Sequence, residues 1–273
     1  MINNIEIEKI ISSENKNGFH YWARYDGNIH APAGFSTIDV LYTLGDIGIK
    51  YKDYDIMKNS IDFIFTYYDG KGRFRYSKKS SKLPCISARI LAALGKVGYK
   101  DDIRINECYE YLLNTQEEDG GWRCATIKKG KSIETDASNP GTTLYVLDAF
   151  LYRNNNKNEI EKLNKAIQFL LNHWDSRAPL GPCKFGIGST FMKIEYPFIR
   201  YNIFYYVYVL SKYKKPNNDR RYKEALEILK KKTINDKLII ENPHKEWRKY
   251  SFSIKGNISE IASKKFREII ESK

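Results

Sequence analysis

Four polar residues recur along the chain at nearly equal spacing. They are Asp39, Arg89, Tyr145 and Asn202, separated by 50, 56 and 57 residues. If Arg89 is buried, it requires a nearby anion, because an unpaired buried charge is costly. That anion could be Asp39, or the phosphate or carboxylate of a bound ligand. The series therefore leaves two alternatives, an internal ion pair and a ligand site.

Aromatic residues accompany this polar series. They are Phe35, Tyr42, Tyr145, Phe198, Tyr201, Phe204, Tyr205 and Tyr208. Arg24, Arg123 and Arg200 lie beside neighbouring loops and would add cations at the rim of a cavity that the rings enclose. Apolar walls with a few placed polar groups are typical of ligand sites, so such a cavity suits an apolar ligand with an anionic head. We expect the ligand-binding residues to be Arg89, Tyr145, Asn202, Tyr201 and Arg200.

Cys85 is a candidate for thiol chemistry. It follows a proline in LPCI and falls in the first turn of a predicted helix, where the helix dipole would lower the pKa of its thiol. A nucleophilic cysteine needs an adjacent base, and without one Cys85 is a small buried thiol. The four cysteines of the chain are separated by 23, 16 and 59 residues, which match neither a zinc motif nor a small disulfide framework. We therefore expect free thiols.

Length and composition predict a protein with a sizeable buried core. The chain has 273 residues, of which 42% are hydrophobic. It has no run of about eighteen uncharged apolar residues, and its first residues lack the basic-then-apolar order of a secretory signal. We therefore expect a cytoplasmic protein without a transmembrane segment.

The chain is strongly basic, with 46 basic and 33 acidic residues and a formal charge of +13. This sign of charge favours anionic partners such as nucleic acid, an anionic membrane or a phosphorylated ligand. The lysine-rich stretches at 76–82, 128–131 and 229–237 are short and scattered, and no nucleic-acid-binding motif accompanies them. We do not expect a dedicated nucleic-acid surface.

Two features recur along the chain with the same drifting period. Turns with Asp or Asn before Gly occur at 17–18, 69–70 and 119–120, at intervals of 52 and 50 residues. Between them lie sparsely charged segments: DVLYTLGDIG (39–48), RILAALGKVG (89–98), YVLDAFLYRN (145–154) and NIFYYVYVLS (202–211). Two independent features with one period indicate an internal repeat.

Each repeat is predicted to be a pair of helices. Three of the sparsely charged segments are preceded by Pro84, Pro140 and Pro197, and the first turn of a helix tolerates proline. A more charged segment follows, such as IRINECYEYLLNTQ (103–116), with apolar residues at a helical period. The first kind of helix would be buried on several sides and the second would face water. This contrast predicts an inner ring of helices wrapped by an outer ring.

The predicted fold is all-α, an α/α toroid of about five helical hairpins in a single domain. Its repeats would span about 1–50, 51–100, 101–156, 157–213 and 214–273. A first helix at 1–14 and a last one at 257–272 would complete the fifth hairpin and close the ring. An open solenoid of helix pairs is the alternative, although its repeats are usually about 34 to 47 residues long.

The alternating helices resemble the α/α toroids of squalene and oxidosqualene cyclases and of protein prenyltransferase β subunits. The segments 84–124, 138–150 and 195–213 are similar to small prenyltransferase- or squalene-cyclase-like proteins of bacteria and archaea. The resemblance covers roughly residues 17–250, most of the chain. It is specific for the fold and much less so for a reaction.

The stretch QEEDGGW (116–122) resembles the glutamine–tryptophan (QW) motif of those cyclases. In the cyclases this motif is structural and ties outer helices together. The resemblance therefore implies that Gln116, Gly120, Gly121 and Trp122 hold neighbouring repeats together. The glycines would allow a tight reversal, and the indole would cover apolar surface.

The resemblance also implies where a catalytic acid would lie. Protonating cyclases use an Asp-x-Asp-Asp motif at the start of an inner helix to donate a proton to an olefin. When Thr142 is aligned with the threonine after that motif, residues 138–141 (SNPG) take its place and contain no acid. A different alignment makes Asp136 the donor, with Glu134 beside it. The catalytic residue stays unknown, with Asp136, Asp39 and Cys85 as candidates.

Protein prenyltransferases hold zinc with an aspartate, a cysteine and a histidine. The histidines of this chain are His20, His30, His173 and His244, and they do not fall on the sparsely charged segments. We therefore expect neither a metal site nor a cofactor.

Three functional hypotheses follow. By resemblance, the chain is a terpenoid cyclase- or prenyltransferase-like protein that binds an isoprenoid, or another apolar ligand with an anionic head, in the centre of the toroid. If it is an enzyme, it is an isoprenoid-directed transferase or cyclase. Alternatively, it is a noncatalytic interaction module for a protein partner, with its centre filled by side chains. A binder of anionic surfaces or nucleic acid is the third hypothesis.

Overall fold

The computed structural model describes residues 4–14 and 20–272. The predicted turn at 17–18 lies outside these residues. The described chain is mostly helical, and its sheet consists of a short antiparallel strand pair. The all-α prediction is therefore confirmed at the level of helical content, and the toroid stays a prediction.

The described chain divides into two compact units. The N-terminal unit comprises residues 4–14, 20–116 and 148–155, and the C-terminal unit comprises residues 117–147 and 156–272. Each unit has its own buried core.

The N-terminal unit contains α1 (Asn4–Ile11), α2 (Thr37–Asp46), α3 (Asp55–Phe65), α4 (Pro84–Val97) and α5 (Ile103–Asn114). Helix α2 starts with a capping box, in which Ser36 Oγ accepts from the backbone N of Asp39 at 3.3 Å and Asp39 Oδ2 accepts from the backbone N of Ser36 at 3.4 Å. Helix α4 begins with Pro84, and Gly98, the residue after its end, has a φ of 83° that suits a glycine in this position.

The C-terminal unit contains α6 (Ile133–Asp136), α8 (Lys157–Ser176), α9 (Ile203–Ser211), α10 (Arg220–Lys230), α11 (Glu260–Glu271) and the greater part of α7 (Pro140–Phe150). Strand β1 (Thr233–Ile234) pairs with β2 (Lys237–Leu238). Asn235 and Asp236 connect these strands with φ values of 50° and 58°, as two-residue hairpin turns require.

Burial separates two kinds of helix. Helix α2 is buried from Thr37 through Gly45, and α9 from Ile203 through Ser211. Helix α7 is buried at every residue except the half-buried Tyr145. Helices α8 and α10 instead bury one face and expose charged residues on the other. Low charge in the sequence therefore marks the helices that are buried on several sides.

One predicted helix start is wrong. Helix α9 begins at Ile203 and not near Pro197, whereas Pro84 and Pro140 do open α4 and α7. The side chain of Asn202 caps α9, because its Oδ1 accepts from the backbone N of Tyr205 at 3.0 Å. A proline is compatible with the first turn of a helix, but the capping side chain determines where this helix begins.

Every tryptophan of the chain is fully buried: Trp22, Trp122, Trp174 and Trp247. Trp22 Nε1 donates to the carbonyl of Ile10 on α1 at 3.1 Å. Trp174 Nε1 on α8 donates to Glu224 on α10 at 3.2 Å. Each of these indoles contributes apolar area to its unit while its N–H keeps a partner.

Glycines allow the loop after α5 to approach its neighbours closely. At Gly120, which has a φ of 91°, an added Cβ would lie 2.7 Å from the carbonyl oxygen of Lys165 on α8. At Gly121, an added Cβ would lie 2.5 Å from Cβ of Ser138. Asp119 accepts from the backbone N of Gly121 at 3.1 Å and from that of Ser138 at 2.8 Å.

Trp122 continues this loop toward α7. Its backbone carbonyl accepts from the backbone N of Asn139 at 2.9 Å, and its backbone N donates to Thr143 Oγ1 at 3.2 Å. Within the C-terminal unit, the loop therefore joins α8 to the start of α7. Gln116 lies just after α5, at the end of the longest segment of the N-terminal unit.

Candidate functional site

Four aromatic side chains form a group in the C-terminal unit, which we call the aromatic cluster: Tyr145, Phe198, Tyr205 and Tyr208. Phe198 stacks on Tyr205 with a centroid distance of 4.8 Å and an interplanar angle of 17°, and lies 5.2 Å from Tyr208. Tyr145 on α7 lies 6.0 Å from Tyr205 on α9. The cluster therefore connects these two buried helices through ring contacts.

Tyr145 is the exposed edge of the aromatic cluster. It is half-buried, whereas its helix neighbours Leu144 and Val146 are fully buried. Its hydroxyl lies 3.5 Å from the carbonyl oxygen of Ile199. A large ring that stays accessible on an otherwise buried helix is a surface on which an apolar ligand can pack.

Arg200 lies next to this edge, one residue after Ile199. Its Nε and Nη2 lie 2.6 and 2.5 Å from Glu195 Oε2, and Nη2 also donates to the carbonyl of Asn242 at 3.1 Å. The Arg200 side chain is 44% exposed and that of Glu195 only 2%. The buried Glu195 carboxylate thus holds the Arg200 side chain, which stays partly exposed to solvent.

Glu195 was not predicted as a site residue. Burial raises the pKa of its carboxyl, and the ion pair with Arg200 opposes that shift. Its Oε1 is buried and has no hydrogen-bond partner. The available signal in the sequence was the single acid within the aromatic stretch EYPFIRY (195–201).

Tyr201 and Asn202 are engaged in contacts within the unit. The Tyr201 hydroxyl lies 3.0 Å from His173 Nδ1, and His173 Nε2 donates to the carbonyl of Ala178 at 2.8 Å. Because Nε2 carries the proton in this arrangement, Nδ1 accepts from Tyr201. Asn202 caps α9 with its Oδ1 and donates from Nδ2 to the carbonyl of Arg200 at 2.9 Å.

His173 is a second residue that the sequence did not single out. Its side chain is buried on α8, and this burial lowers the pKa of the imidazole. The two hydrogen bonds to Ala178 and Tyr201 are compatible with the neutral ring. The neutral His173 on α8 therefore links this helix to the segment before α9 through its hydrogen bond with Tyr201.

Arg89 pairs with Asp39 in the N-terminal unit. Arg89 Nη2 lies 3.2 Å from Asp39 Oδ1, and the two side chains are 3% and 4% exposed. Asp39 Oδ2 also accepts from the backbone N of Gly34 at 3.0 Å and from Ser36 Oγ at 2.8 Å. Of the two alternatives for Arg89, the structure contains the internal ion pair.

The same helices carry a second buried pair. Lys96 Nζ on α4 lies 2.5 Å from Asp46 Oδ1 at the end of α2, with side chains 3% and 1% exposed. Between the pairs lies Tyr42, whose hydroxyl donates to Asp148 Oδ2 at 2.6 Å. We call Asp39, Arg89, Tyr42, Lys96 and Asp46 the polar column. It occupies the contact between α2 and α4 with groups that satisfy one another.

The remaining candidate acid, Asp136, stabilises the loop in which it lies. It ends the short helix α6, accepts from the backbone N of Gly130 at 2.7 Å, and lies 4.0 Å from Arg123 Nη2. Arg123 in turn donates to the carbonyls of Thr135 and Ile127 at 3.1 and 2.6 Å and is 7% exposed. The prediction of Arg123 as a rim cation is therefore wrong, because its guanidinium is buried in loop contacts.

Cys85 lies in the first turn of α4, as the sequence predicts, but its thiol is half-buried and not buried. Arg24, another predicted rim cation, forms a two-bond ion pair with Asp26 at 3.1 and 2.6 Å. Within residues 4–14 and 20–272, no three His, Cys, Asp or Glu side chains are grouped to hold a metal ion. Each helix of that same described part is too short or too polar to span a bilayer.

Comparison with known proteins relates this chain to others by structure. No protein-family model matches it, and no curated protein matches it in sequence. The apo structure of the type II terpene cyclase MstE from Scytonema superposes with a TM-score of 0.51 and 12% identity, covering 99% of this chain and 72% of that one. At this identity the similarity shows the fold alone.

A second structure is that of an arginine-to-alanine variant of MstE from Scytonema in complex with its substrate, geranylgeranyl dihydroxybenzoate. Its TM-score is 0.36 with 12% identity, over 98% of this chain and 94% of that one. The superposition on the apo enzyme shows that the fold of the chain is terpenoid cyclase-like.

Proposed function

We propose, from the premise that this chain has a terpenoid cyclase-like fold, that it binds an isoprenoid or another apolar ligand with an anionic head. The observation that carries the proposal is the half-buried ring of Tyr145, on a helix whose other residues are all buried. An apolar chain would pack on this ring and on the neighbouring Tyr205. The centre of the predicted toroid is the proposed location of the ligand.

Arg200 is the proposed partner of the anionic head. The side chain of Arg200 is 44% exposed, and the residue follows Ile199, whose carbonyl is 3.5 Å from the Tyr145 hydroxyl. A guanidinium suits phosphate and carboxylate groups because its donors bind them in pairs. Arg89 is less suited, since Asp39 already pairs with it and it is 3% exposed.

The proposal assigns no chemical step. Asp39, Asp136 and Cys85 stay candidates for catalysis, but Asp39 and Asp136 already accept hydrogen bonds from backbone or side-chain donors. Electron-rich ring faces such as those of the aromatic cluster would also stabilise a cation formed on a ligand. A product would therefore be sought only after binding is established.

The test is thermal unfolding with farnesyl diphosphate, geranylgeranyl diphosphate, inorganic diphosphate and a neutral triterpene, each at low and moderate salt. A ligand at a hundred times its dissociation constant stabilises the folded protein by about 2.7 kcal/mol, which raises the midpoint. We expect a salt-resistant rise with a prenyl diphosphate. If none of the prenyl compounds raises the unfolding midpoint, the proposal is overturned.

Two variants separate the anion site from general damage. Arg200→Gln should weaken the binding of the prenyl diphosphate, whereas Glu195→Gln should strengthen it, because the guanidinium loses its competing carboxylate. Arg104→Gln is the matched control, since Arg104 is also a partly exposed arginine in an ion pair, with Asp102. Equal effects of Arg200→Gln and Arg104→Gln on binding would exclude Arg200 as the anion partner.

A second candidate function is a noncatalytic interaction module for a protein partner. The polar column favours it, because Arg89 and Lys96 are already paired with Asp39 and Asp46 and the α2–α4 contact is filled by side chains. This candidate predicts that prenyl compounds leave the unfolding midpoint unchanged. The same experiment therefore separates the two functions.

A further inference from the structure

A cleft with a volume of about 540 Å³ lies in the N-terminal unit. Its walls come from the loop 25–27, from the C-terminal part of α3 with the residues that follow it, and from Arg75 and Lys78. Small-molecule sites typically have volumes of about 300–1,000 Å³. The cleft therefore has room for a small ligand.

Hydrogen bonds hold the walls of the cleft together. The Tyr67 hydroxyl donates to the carbonyl of Gly27 at 2.7 Å, and the Tyr67 carbonyl accepts from the backbone N of Arg75 at 3.0 Å. The backbone N of Ile29 donates to the carbonyl of Tyr76 at 2.9 Å. All three walls are thus connected to one another, and the cleft is a preformed part of the fold.

Aromatic rings supply apolar surface in the cleft. Phe63 and Tyr67 line it, with ring centroids 5.5 Å apart and an interplanar angle of 74°. Tyr25 lines it as well and is 77% exposed. Among the residues that the structure describes, the Tyr25 side chain has no ring contact and no hydrogen bond. An exposed ring beside other aromatic rings is a surface on which a planar ligand can stack.

Two cations line the cleft without an ion pair. Arg75 donates from Nη1 to the carbonyl of Ser80, and in the described part of the chain its Nε and Nη2 have no acceptor. Lys78 is exposed and has neither an acidic partner nor a hydrogen bond in that part. The donors of both side chains are therefore available to a ligand.

The acids beside the cleft are already paired. Asp69, which follows the lining residue Tyr68, pairs with Arg73 and Lys82 at 2.7 and 3.4 Å. Asp26 lines the cleft, and its carboxylate accepts from Nε and Nη2 of Arg24 at 3.1 and 2.6 Å. A ligand in the cleft therefore meets a net positive charge, which favours an anion.

We propose that this cleft binds a nucleoside phosphate. The base stacks on the exposed ring of Tyr25, and the phosphate accepts from Arg75 and Lys78. A guanidinium and an ammonium suit a phosphate because each combines several donors with a positive charge. The inference does not depend on the proposed isoprenoid ligand, since the aromatic cluster and Arg200 belong to the other unit.

The rings and the cations together select this class of ligand. A neutral aromatic compound would leave Arg75 and Lys78 unpaired, and inorganic phosphate would leave the rings in contact with water. A nucleotide carries both a planar base and a phosphate, and the cleft has room for the sugar that joins them. Ring faces accept every base, because each base has a π-face to stack. The cleft therefore selects nucleotides as a class.

Calorimetric titration of the full chain with adenosine monophosphate, adenosine and inorganic phosphate tests the proposal. We expect the monophosphate to bind at least about tenfold more tightly than adenosine or phosphate, since only the monophosphate engages both the rings and the cations. Its affinity should fall as the salt concentration rises, because exposed cations hold the phosphate.

Variants at exposed positions separate the two halves of the site. Tyr25→Ala should lower the affinity for the monophosphate about tenfold, whereas Tyr25→Phe should retain it, because stacking needs the ring and not the hydroxyl. Lys78→Gln should weaken the binding of the monophosphate and leave that of adenosine unchanged. Lys79→Gln is the matched control, since Lys79 is the exposed neighbour of Lys78 and lies outside the lining of the cleft.

The proposal is wrong if the monophosphate does not bind, if Tyr25→Ala and Lys78→Gln both bind it as wild type does, or if Lys79→Gln weakens its binding as much as Lys78→Gln. Binding of a single-stranded oligonucleotide without binding of the monophosphate would also refute it and indicate a nucleic-acid surface. Arg75→Gln removes the bond to the Ser80 carbonyl and can fail to fold. In that case, Lys78→Gln alone tests the phosphate contact.

Discussion

The guanidinium carbon of Arg89 lies 4.2 Å from the ring centroid of Tyr42, directly over the ring. Lys96 Nζ lies 4.6 Å from the same centroid. The Tyr42 ring thus contacts two cations, while the carboxylates of Asp39 and Asp46 neutralise them. The polar column is stable because every charge has a partner, although burial makes each charge costly on its own.

We predict that Arg89→Met lowers the free energy of unfolding by about 3–5 kcal/mol, because it leaves the Asp39 carboxylate buried without its cation. The double variant Arg89→Met with Asp39→Asn should recover part of that loss. Arg24→Met is the control, since the Arg24 and Asp26 side chains are 47% and 40% exposed. It should leave the free energy of unfolding nearly unchanged, because an exposed ion pair contributes little.

Urea denaturation measures these differences. A double variant that is no more stable than Arg89→Met alone would show that the lost packing of the arginine, and not the unpaired charge, causes the destabilisation. If Arg24→Met lowers the free energy of unfolding as much as Arg89→Met does, burial of the ion pair is not the reason for the loss of stability.

Gly120 and Gly130 offer a matched pair for testing the loop after α5. Both have a φ of 91°, but an added Cβ meets the Lys165 carbonyl at 2.7 Å at Gly120 and nothing within 4 Å at Gly130. Gly130→Ala should cost about 1–2 kcal/mol from the backbone conformation alone. Gly120→Ala should cost a further 1–3 kcal/mol or so from the overlap with α8.

Thermal and urea unfolding of the two variants would check this prediction. Equal losses of stability would mean that the loop does not need its close approach to α8. The two variants can be compared directly, because the cost of placing alanine at a φ of 91° is the same at both positions.

His173 should make the C-terminal unit less stable in acid. Burial lowers the pKa of its imidazole, so the unfolded state binds a proton at a higher pH than the folded state does. Stability from this residue is therefore present above the unfolded pKa of about 6.5 and is lost as the pH falls toward the folded pKa. His173→Gln should reduce the loss of stability between about pH 7 and pH 5.

Urea unfolding at several pH values gives the slope for wild type, His173→Gln and His20→Gln, the last being the exposed control. His20→Gln should keep the wild-type slope. If His173→Gln also keeps the wild-type slope, protonation of the His173 imidazole is not the cause of the loss of stability in acid.

Asn202 should contribute to stability as a helix cap. We predict that Asn202→Ala costs about 1–2 kcal/mol, since it removes the acceptor for the backbone N of Tyr205. Asn202→Ser should restore most of that stability, because a serine hydroxyl accepts at the same helix position. Two equally unstable variants would show that the bond from Asn202 Nδ2 to the Arg200 carbonyl is the more important one.

The candidate site was predictable only in part. The regular spacing of Asp39 and Arg89 marked both as candidate site residues. The sequence left two alternatives for Arg89, and its pairing with Asp39 was one of them. Tyr145 was identified as an aromatic residue of the site, but its accessibility depends on how α7 packs. Glu195 was missed although it is the single acid of an aromatic stretch, and His173 was missed because its burial gives no signal in the local sequence.

The sequence by itself determined where α4 and α7 begin and which helices are buried on several sides. Pro84, Pro140 and the capping side chain of Ser36 act on backbone groups within a few residues, and low charge marks α2, α7 and α9 as buried. Such effects are local, so they can be derived from a short stretch of chain.

Only the tertiary structure decided which partner each polar group has. Arg89 meets Asp39 across 50 residues of chain, and Tyr42 meets Asp148 across 106. Burial then sets the pKa of His173 and Glu195, because desolvation depends on every element packed around the group. Spacing in the sequence cannot supply these distances, since they arise when separate helices come together.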